Sequence, residues 1–199
     1  SGFISDLGFD MYHKILDEAV QELKETEFKD LFAKELTESH KHLVKDCNIE
    51  TDLELIIPED YVGNISERLS LYNTLDNLKK EEELHDFTNS LIDRFGKLPS
   101  TVHDLIETVK LRWQAEELGF EKLTIKNGKL KGYFMSSDRE AYFKSEVFGG
   151  ILAYVQTHPK RCRLKEYNEK LILTVDEVQS IDEAKSTLQT ILDGSVVKV

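Results

Sequence analysis

The sequence predicts an α+β fold, with helices over the first two-thirds and a small, mostly antiparallel sheet with helices in the last third. Two observations lead to this prediction. Apolar residues recur at helical spacing through the earlier part of the chain, as in the run 82–95. After Phe120 apolar and polar residues alternate around Asn127-Gly128, a dipeptide that is the strongest short signal for a β-hairpin.

The composition is that of a folded and strongly acidic protein. The chain has 199 residues, of which 40% are hydrophobic and 32% charged, and its net charge is −12. This length supports one good-sized core. The acidic balance disfavours direct binding to nucleic acid and suits a basic protein surface. No apolar run is long enough to span a membrane, so we expect no membrane contact.

Two further features bear on the setting of the chain. Cys47 and Cys162 are far apart and lack CxxC spacing, which predicts reduced thiols in a cytoplasmic protein and leaves a disulfide without support. No signal peptide is visible and the chain starts abruptly at Ser1. We therefore expect a piece of a longer protein.

We predict a domain division near residue 48. Residues 1–48 are interpreted as a linker helix and connector, and residues 49–199 as the domain itself. Phe9–Leu23 has apolar residues at the spacing of an amphipathic helix. The polar run that follows, Glu25–Cys47, is interpreted as a helix or a connector.

The domain is predicted to begin with a strand, a turn and a helix. Asp52–Pro58 has the apolar content of a strand, and Pro58-Glu59-Asp60 has the composition of a turn. Asn64-x-x-Glu67 resembles a capping box and predicts a helix from about Ser66. The predicted apolar stripe of this helix contains Leu69, Tyr72 and Leu75, with Leu71 and Leu78 beside it.

A second helix, predicted over Glu82–Phe95, is the segment around which the chain is organised, and Gly96 and Pro99 stop it. Its buried side is predicted to contain Leu84, Phe87, Leu91 and Phe95. At about 100° per residue another side groups Asp86, Ser90, Asp93 and, if the helix extends that far, Lys97, with Arg94 on the boundary. Asp93 and Arg94 can thus face a partner while the apolar side holds the helix. The alternative is that both are solvated surface charges.

A long helix and a hairpin follow Pro99. Ser100 or Thr101 is the predicted N-cap of a helix that runs to Leu118, with Gly119 as the residue after its end. Its predicted apolar face contains Val102, Leu105, Ile106, Val109 and Trp113. Residues 122–126 and 129–134 are predicted as the paired strands.

The last third is predicted to mix helices with a second pair of strands. A helical stretch covers 140–157, with Gly149-Gly150 as the place where it can break. Strands are predicted over 161–165 and 171–175. The pattern Ser180-x-x-Glu183 predicts a final helix to about Leu192, stopped by Gly194.

No motif in the chain predicts catalysis, and we expect no enzyme activity and no bound metal or other cofactor. Gly149-Gly150 lacks the lysine of a phosphate-binding loop. His40-x-His42 with Cys47 matches no standard zinc spacing. The basic cluster of residues 160–167 is the one place where a nucleic acid could rest, although a hairpin with a mixed surface explains it equally well. The cluster contains Lys160, Arg161, Arg163 and Lys165, with Tyr167 close by.

Three ordered motifs resemble the C-terminal TRCF domain of the bacterial transcription-repair coupling factor (Mfd) family. They are Leu91-Ile-Asp-Arg-Phe-Gly-Lys-Leu-Pro99, the upstream Arg68-Leu-Ser-Leu-Tyr72 and the downstream Leu118-Gly-Phe120. The run Ser1-Gly-Phe-Ile-Ser-Asp-Leu-Gly-Phe-Asp-Met-Tyr12 resembles the stretch that follows the motor domains in that family. The resemblance covers most of the chain, from Ser1 to about Leu130.

The resemblance implies a regulatory role in transcription-coupled DNA repair. The parent is an ATP-dependent DNA translocase whose ATP and magnesium belong to upstream motor domains, so residues 1–48 would descend from the motor. The C-terminal domain is expected to pack on the N-terminal UvrB-like module of the same protein. That packing would mask the UvrA-binding surface and restrain the motor until RNA polymerase is engaged.

The same resemblance assigns the predicted interface to the helix with the Leu-Ile-Asp-Arg motif. Asp93 and Arg94 match the family motif, whereas Ser90 stands where the family commonly has glutamate. Asp86 is a candidate to take the place of that acid. Two alternatives stay open: a passive docking or scaffold domain without an inhibitory role, and weak nucleic-acid contact through the 160–167 hairpin.

Overall fold

A computed structural model describes residues 46–135, 140–168 and 170–196. The α+β prediction is confirmed. The elements in chain order are β1 (Asn48–Thr51), α1 (Ile65–Asn77), α2 (Glu81–Phe95), α3 (Ser100–Glu117), β2 (Phe120–Lys126), β3 (Lys129–Phe134), α4 (Glu140–Phe143), α5 (Glu146–Thr157), β4 (Cys162–Tyr167), β5 (Lys170–Asp176) and α6 (Ile181–Val196). The predicted helix Phe9–Leu23 and nearly all of the predicted connector lie outside the described residues. None of the described helices is long and apolar enough to cross a membrane.

The five described strands form one mixed sheet in the order β1-β2-β3-β5-β4. Strand β1 runs parallel to β2, and the other three pairs are antiparallel. The predicted turn between β2 and β3 is confirmed, since Asn127 (φ 53°) and Gly128 (φ 69°) both have the positive φ that a two-residue hairpin turn requires. The second predicted hairpin is also present, formed by β4 and β5.

One face of the sheet is buried under helices. Helix α6 packs against both α3 and α5, α3 also contacts β2, and α5 contacts β4. The rings of Phe120 and Phe134 lie 4.8 Å apart between centroids, and Phe148 from α5 packs edge-on against Phe134 at 5.8 Å. The buried strand residues include Phe120, Leu123, Ile125, Leu130, Phe134, Leu173 and Val175.

A second core joins α1 and α2 to the other side of α3. It contains Ile57, Val62, Leu71, Leu75, Leu84, Phe87, Leu91, Val102, Ile106 and Val109. Trp113, Leu105 and Phe95 are partly buried against it. The predicted apolar face of α3 is therefore confirmed, but Leu111 and Ala115 on the opposite side of the helix are also fully buried. Helix α3 is thus covered on two sides, which its sequence pattern did not predict.

The predicted strand Asp52–Pro58 is wrong. The strand is Asn48–Thr51, and two side chains end it: Thr51 Oγ1 accepts from the Leu53 amide (3.0 Å) and the Asp52 carboxylate accepts from the Asn127 amide (2.8 Å). The apolar residues that follow are used differently, because Ile57 is buried in the helical core rather than in the sheet. The predicted turn is confirmed, since the amides of Tyr61 and Val62 donate to the Pro58 carbonyl.

The predicted stripe of α1 is partly wrong. Asn64 caps the helix by accepting from the Glu67 amide, as predicted. Leu71 and Leu75 are buried, whereas Leu69 is 59% exposed. Apolar residues stand at both the i, i+3 spacing (Leu69 and Tyr72) and the i, i+4 spacing (Leu71 and Leu75). Packing in the helical core buries the second pair and part of Tyr72, and leaves Leu69 outside.

Other observed helix ends differ from the predicted ones by a few residues. Pro99, not Ser100 or Thr101, is the N-cap of α3, and Gly119 follows the end of that helix as predicted. The break in 140–157 falls before Ser145, whose hydroxyl accepts from the Phe148 amide and starts α5, so Gly149-Gly150 does not interrupt the helix. The Ser180 hydroxyl accepts from the Glu183 amide as predicted, but α6 continues through Gly194.

Two glycine positions give a test of the sheet packing. A Cβ at Gly132 in β3 would lie 2.5 Å from the Phe120 ring, whereas a Cβ at Gly149 in α5 would meet nothing within 4 Å. Gly132→Ala should lower the free energy of unfolding by about 1–3 kcal/mol because the packed ring must move. Gly149→Ala should raise it by about 0.5–1 kcal/mol because alanine favours a helix. Urea unfolding measures both, and effects of the same sign would contradict the described packing.

Candidate interdomain interface

Helix α2 presents the predicted polar residues to solvent because its other side is anchored. Leu84, Phe87 and Leu91 are buried against α1 and α3. Asp86, Ser90 and Asp93 are exposed and follow one another at the i, i+4, i+7 positions of one face. We refer to this side, with Arg94 at its edge, as the α2 polar face.

The ends of α2 are set by local chemistry. At its start the Glu83 carboxylate accepts from the amides of Lys79 (3.0 Å) and Lys80 (3.3 Å). Acidic residues in the first turn also suit the positive end of the helix dipole. At its end Gly96 has φ 84°, a conformation that favours glycine and stops the helix. Lys97 lies beyond that stop and so is not part of the α2 polar face.

Tyr61 anchors the C-terminal end of α2. Its hydroxyl donates to the Gly96 carbonyl (3.0 Å) and lies 3.3 Å from the Leu91 carbonyl. Its ring packs against Phe95 at 5.7 Å. Burial raises the pKa of Tyr61 above its ordinary value, in the direction that favours the protonated, donating hydroxyl. No local pattern predicts this contact, because 30 or more residues separate the partners in the chain.

Arg94 is held in place by its own domain. Its guanidinium pairs with the Glu67 carboxylate on α1 and lies 4.8 Å from the centre of the Phe95 ring. Half of the Arg94 side chain remains exposed (49%). Sequence reasoning used Glu67 only as part of a cap and missed it as the partner of Arg94.

Asp93 has no such partner. Within the described part of the chain, neither Asp93 nor Asp86 forms an ion pair, and Ser90 forms no side-chain hydrogen bond. The α2 polar face therefore offers solvated carboxylates beside an arginine whose position is restrained. This arrangement can accept hydrogen bonds from a basic partner and can donate from the exposed edge of Arg94.

Part of the basic cluster at 160–167 is already paired with groups of the same domain. Arg161 donates to the carbonyls of Asp176 (2.8 Å) and Glu177 (3.0 Å), and Arg163 pairs with the Asp176 carboxylate at 2.7 Å. Lys165 is exposed, and Tyr167 is 69% exposed.

Cys47 is buried at the edge of a cleft between β1, α1 and α3. Burial, with a smaller contribution from nearby carboxylates, raises the pKa of its thiol to about 12. Its amide donates to Glu116, and burial raises the pKa of that carboxyl.

Among the described residues no group of three or more His, Cys, Asp or Glu is placed to hold a metal ion. His40 and His42 lie outside these residues, so the expectation of no metal site stays a prediction. Cys162 is also a free, buried thiol.

Comparisons with known proteins point to one family. The family model of the TRCF domain matches residues 51–145 of this chain. The transcription-repair-coupling factor of Escherichia coli (strain K12) is 31% identical over 167 residues, which cover 82% of this chain and 13% of that protein. The transcription-repair-coupling factor of Staphylococcus haemolyticus (strain JCSC1435) is 29% identical over 200 residues, which cover 98% of this chain and 16% of that protein. The chain thus spans less than a fifth of the length of these relatives.

A solved structure has the same fold. The crystal structure of the C-terminal domain of transcription-repair coupling factor superposes with a TM-score of 0.60 at 15% identity. The match covers 79% of this chain and 99% of the solved chain. At this identity the likeness establishes the fold alone.

The Tyr61 anchor can be tested by removing one oxygen atom. Tyr61→Phe should lower the free energy of unfolding by about 1 kcal/mol and speed hydrogen exchange at the Gly96 amide, because the hydroxyl no longer ties down the end of α2. The matched control is Tyr167→Phe, since that side chain is 69% exposed. It should change stability by less than about 0.5 kcal/mol. Equal effects in the two variants, or unchanged exchange at Gly96, would contradict the anchor.

Proposed function

The chain belongs to the TRCF domain family of the bacterial transcription-repair coupling factors, and we propose that its α2 polar face packs on the N-terminal UvrB-like module of the parent protein. In this proposal the contact masks the surface that binds UvrA and restrains the motor until RNA polymerase is engaged. The domain itself carries out no catalysis and binds no cofactor, and ATP and magnesium are used by the parent motor. The site of action is the cytoplasm.

One observation supports this proposal most directly. Asp93 is a solvated carboxylate without a partner among the described residues, on a helix whose other side is buried and whose end is anchored by Tyr61. Because the helix is already rigid, a partner that pairs with Asp93 does not have to order the backbone. An arginine is the best match, since its planar fork can donate two hydrogen bonds to one carboxylate.

Arg94 is proposed to act beside Asp93 without leaving its own partner. A guanidinium has five N–H donors, and the Glu67 carboxylate uses only part of them. The exposed donors can reach a carbonyl or a carboxylate of the module. Glu67 thereby fixes the orientation of Arg94 before the partner arrives.

The proposed contact is weak enough to open. An interface of a few solvated ion pairs supplies a coupling free energy of about 1–3 kcal/mol, which biases a two-state equilibrium and can still be overcome. By the resemblance, Ser90 stands where the family commonly has a glutamate, and it offers no charge there. We propose that Asp86, one turn earlier on the same face, takes over part of that role.

Binding of the chain to the isolated UvrB-like module tests the role of Asp93. The affinity, measured by titration calorimetry, should fall as salt rises, because the proposed contacts are solvated ion pairs. Asp93→Asn should weaken binding by at least about tenfold, since it removes the charge with almost no change in shape.

The matched control is Glu54→Gln, the same charge loss at an exposed carboxylate in the loop before α1. It should change the affinity by less than about twofold. Binding that is insensitive to salt and to Asp93→Asn would assign contact with the module to another surface and refute the proposed interface. In that case a scaffold domain without an inhibitory role would be the better interpretation.

A further inference from the structure

The sheet has a second face, opposite the helices, on which basic side chains are concentrated. The strand registers align Lys131, Thr174 and Arg163 as neighbours across three strands on this side. The alternating residues Leu130, Gly132 and Leu173 face the buried core instead. The basic residues on the open side are Lys122, Lys126, Lys129, Lys131, Arg163, Lys165 and Lys170. The acidic residues that pair with cations of this side are Glu50, Asp176 and Glu121, the last of which pairs with Lys170. We refer to this surface as the basic sheet face.

The acidic residues only partly neutralise these cations. Glu50 is shared by Lys122 (2.7 Å) and Lys126 (3.0 Å). Asp176 is shared in the same way by Arg163 (2.7 Å) and Lys129 (3.8 Å). Lys131 and Lys165 are exposed and form no ion pair with the described residues. Positive charge therefore remains on this face although the whole chain has a net charge of −12.

The overall charge does not cancel this local field. At physiological ionic strength charges are screened beyond about 8 Å, so a ligand in contact with the sheet responds mainly to the charges beside it. The general argument from net charge against nucleic-acid binding thus applies to the acidic helices and not to this surface.

Two tyrosines lie among the basic residues. Tyr133 is on the central strand β3, next to Ile172 of β5, and the Lys122 ammonium lies 5.8 Å from the centre of its ring. Tyr167 ends the edge strand β4 and is 69% exposed. Aromatic rings on an open sheet, with cations around them, are the arrangement on which proteins stack unpaired bases.

We propose that the basic sheet face binds a single-stranded nucleic acid, with lysines contacting the phosphates and Tyr167 stacking on a base. The abundance of lysine on this face favours a nucleic acid over an acidic protein. Lysine is depleted at the centres of protein interfaces, whereas its point charge binds phosphate groups readily. The exposed ring of Tyr167 at the edge of the sheet favours a single strand over a duplex, because only unpaired bases are free to stack on it. This inference is independent of the role proposed for the α2 polar face.

Fluorescence anisotropy with the full 199-residue chain and labelled single-stranded and duplex DNA tests this proposal. Affinity for the single strand should fall steeply between about 50 and 200 mM salt. The double variant Lys131→Glu/Lys165→Glu should weaken binding by at least about tenfold. The control Lys79→Glu/Lys97→Glu makes the same charge change at exposed lysines outside the sheet, and should change affinity by less than about threefold.

A second variant separates stacking from charge. Tyr167→Ala should weaken single-strand binding by about fivefold or more and leave duplex binding unchanged. Equal losses in the sheet variant and its control, at unchanged thermal stability, would overturn the proposal, as would an absence of binding at about 50 mM salt. Poly-glutamate that displaces the single strand at equal charge concentration would assign the face to an acidic protein instead.

Discussion

The burial of α3 on two sides is the constraint on which the rest of the structure depends. Val102 and Ile106 contact the core formed with α1 and α2, while Leu111 and Ala115 are fully buried on the side that packs against β2 and α6. A helix covered on both sides joins the two cores into one body. It therefore fixes the α1–α2 pair relative to the sheet, so that the α2 polar face and the basic sheet face are each held on a rigid support. Such support lowers the entropic cost of binding at either surface.

The two surfaces differ in charge and in chemistry, and we infer different partners for them. The α2 polar face combines free carboxylates with an arginine restrained by Glu67 and Phe95, which suits a basic protein surface and a reversible contact. The basic sheet face combines lysines with the exposed ring of Tyr167, which suits phosphates and bases.

Features that depend on neighbouring residues were predictable from the sequence. The Asn127-Gly128 turn, the Asn64 cap and the buried side of α2 each follow from a backbone or periodicity requirement within a few residues. Features that depend on distant residues were not. The choice of Leu71 over Leu69, the short parallel strand Asn48–Thr51, the Glu67 partner of Arg94 and the Tyr61 anchor are all decided by packing between segments far apart in the chain. The candidate interface could be located by motif, but its internal ion pair could not.

The central claim is that Asp93 pairs with a basic side chain of the UvrB-like module and so hides the UvrA-binding surface. A charge swap in the full-length parent protein tests it most directly, with UvrA binding as the readout. Asp93→Arg alone should expose the surface and increase UvrA binding, and an arginine-to-aspartate change at the facing position of the module should restore masking when the two are combined. Unchanged UvrA binding in Asp93→Arg, or a failure of every facing charge swap to restore masking, would contradict the account.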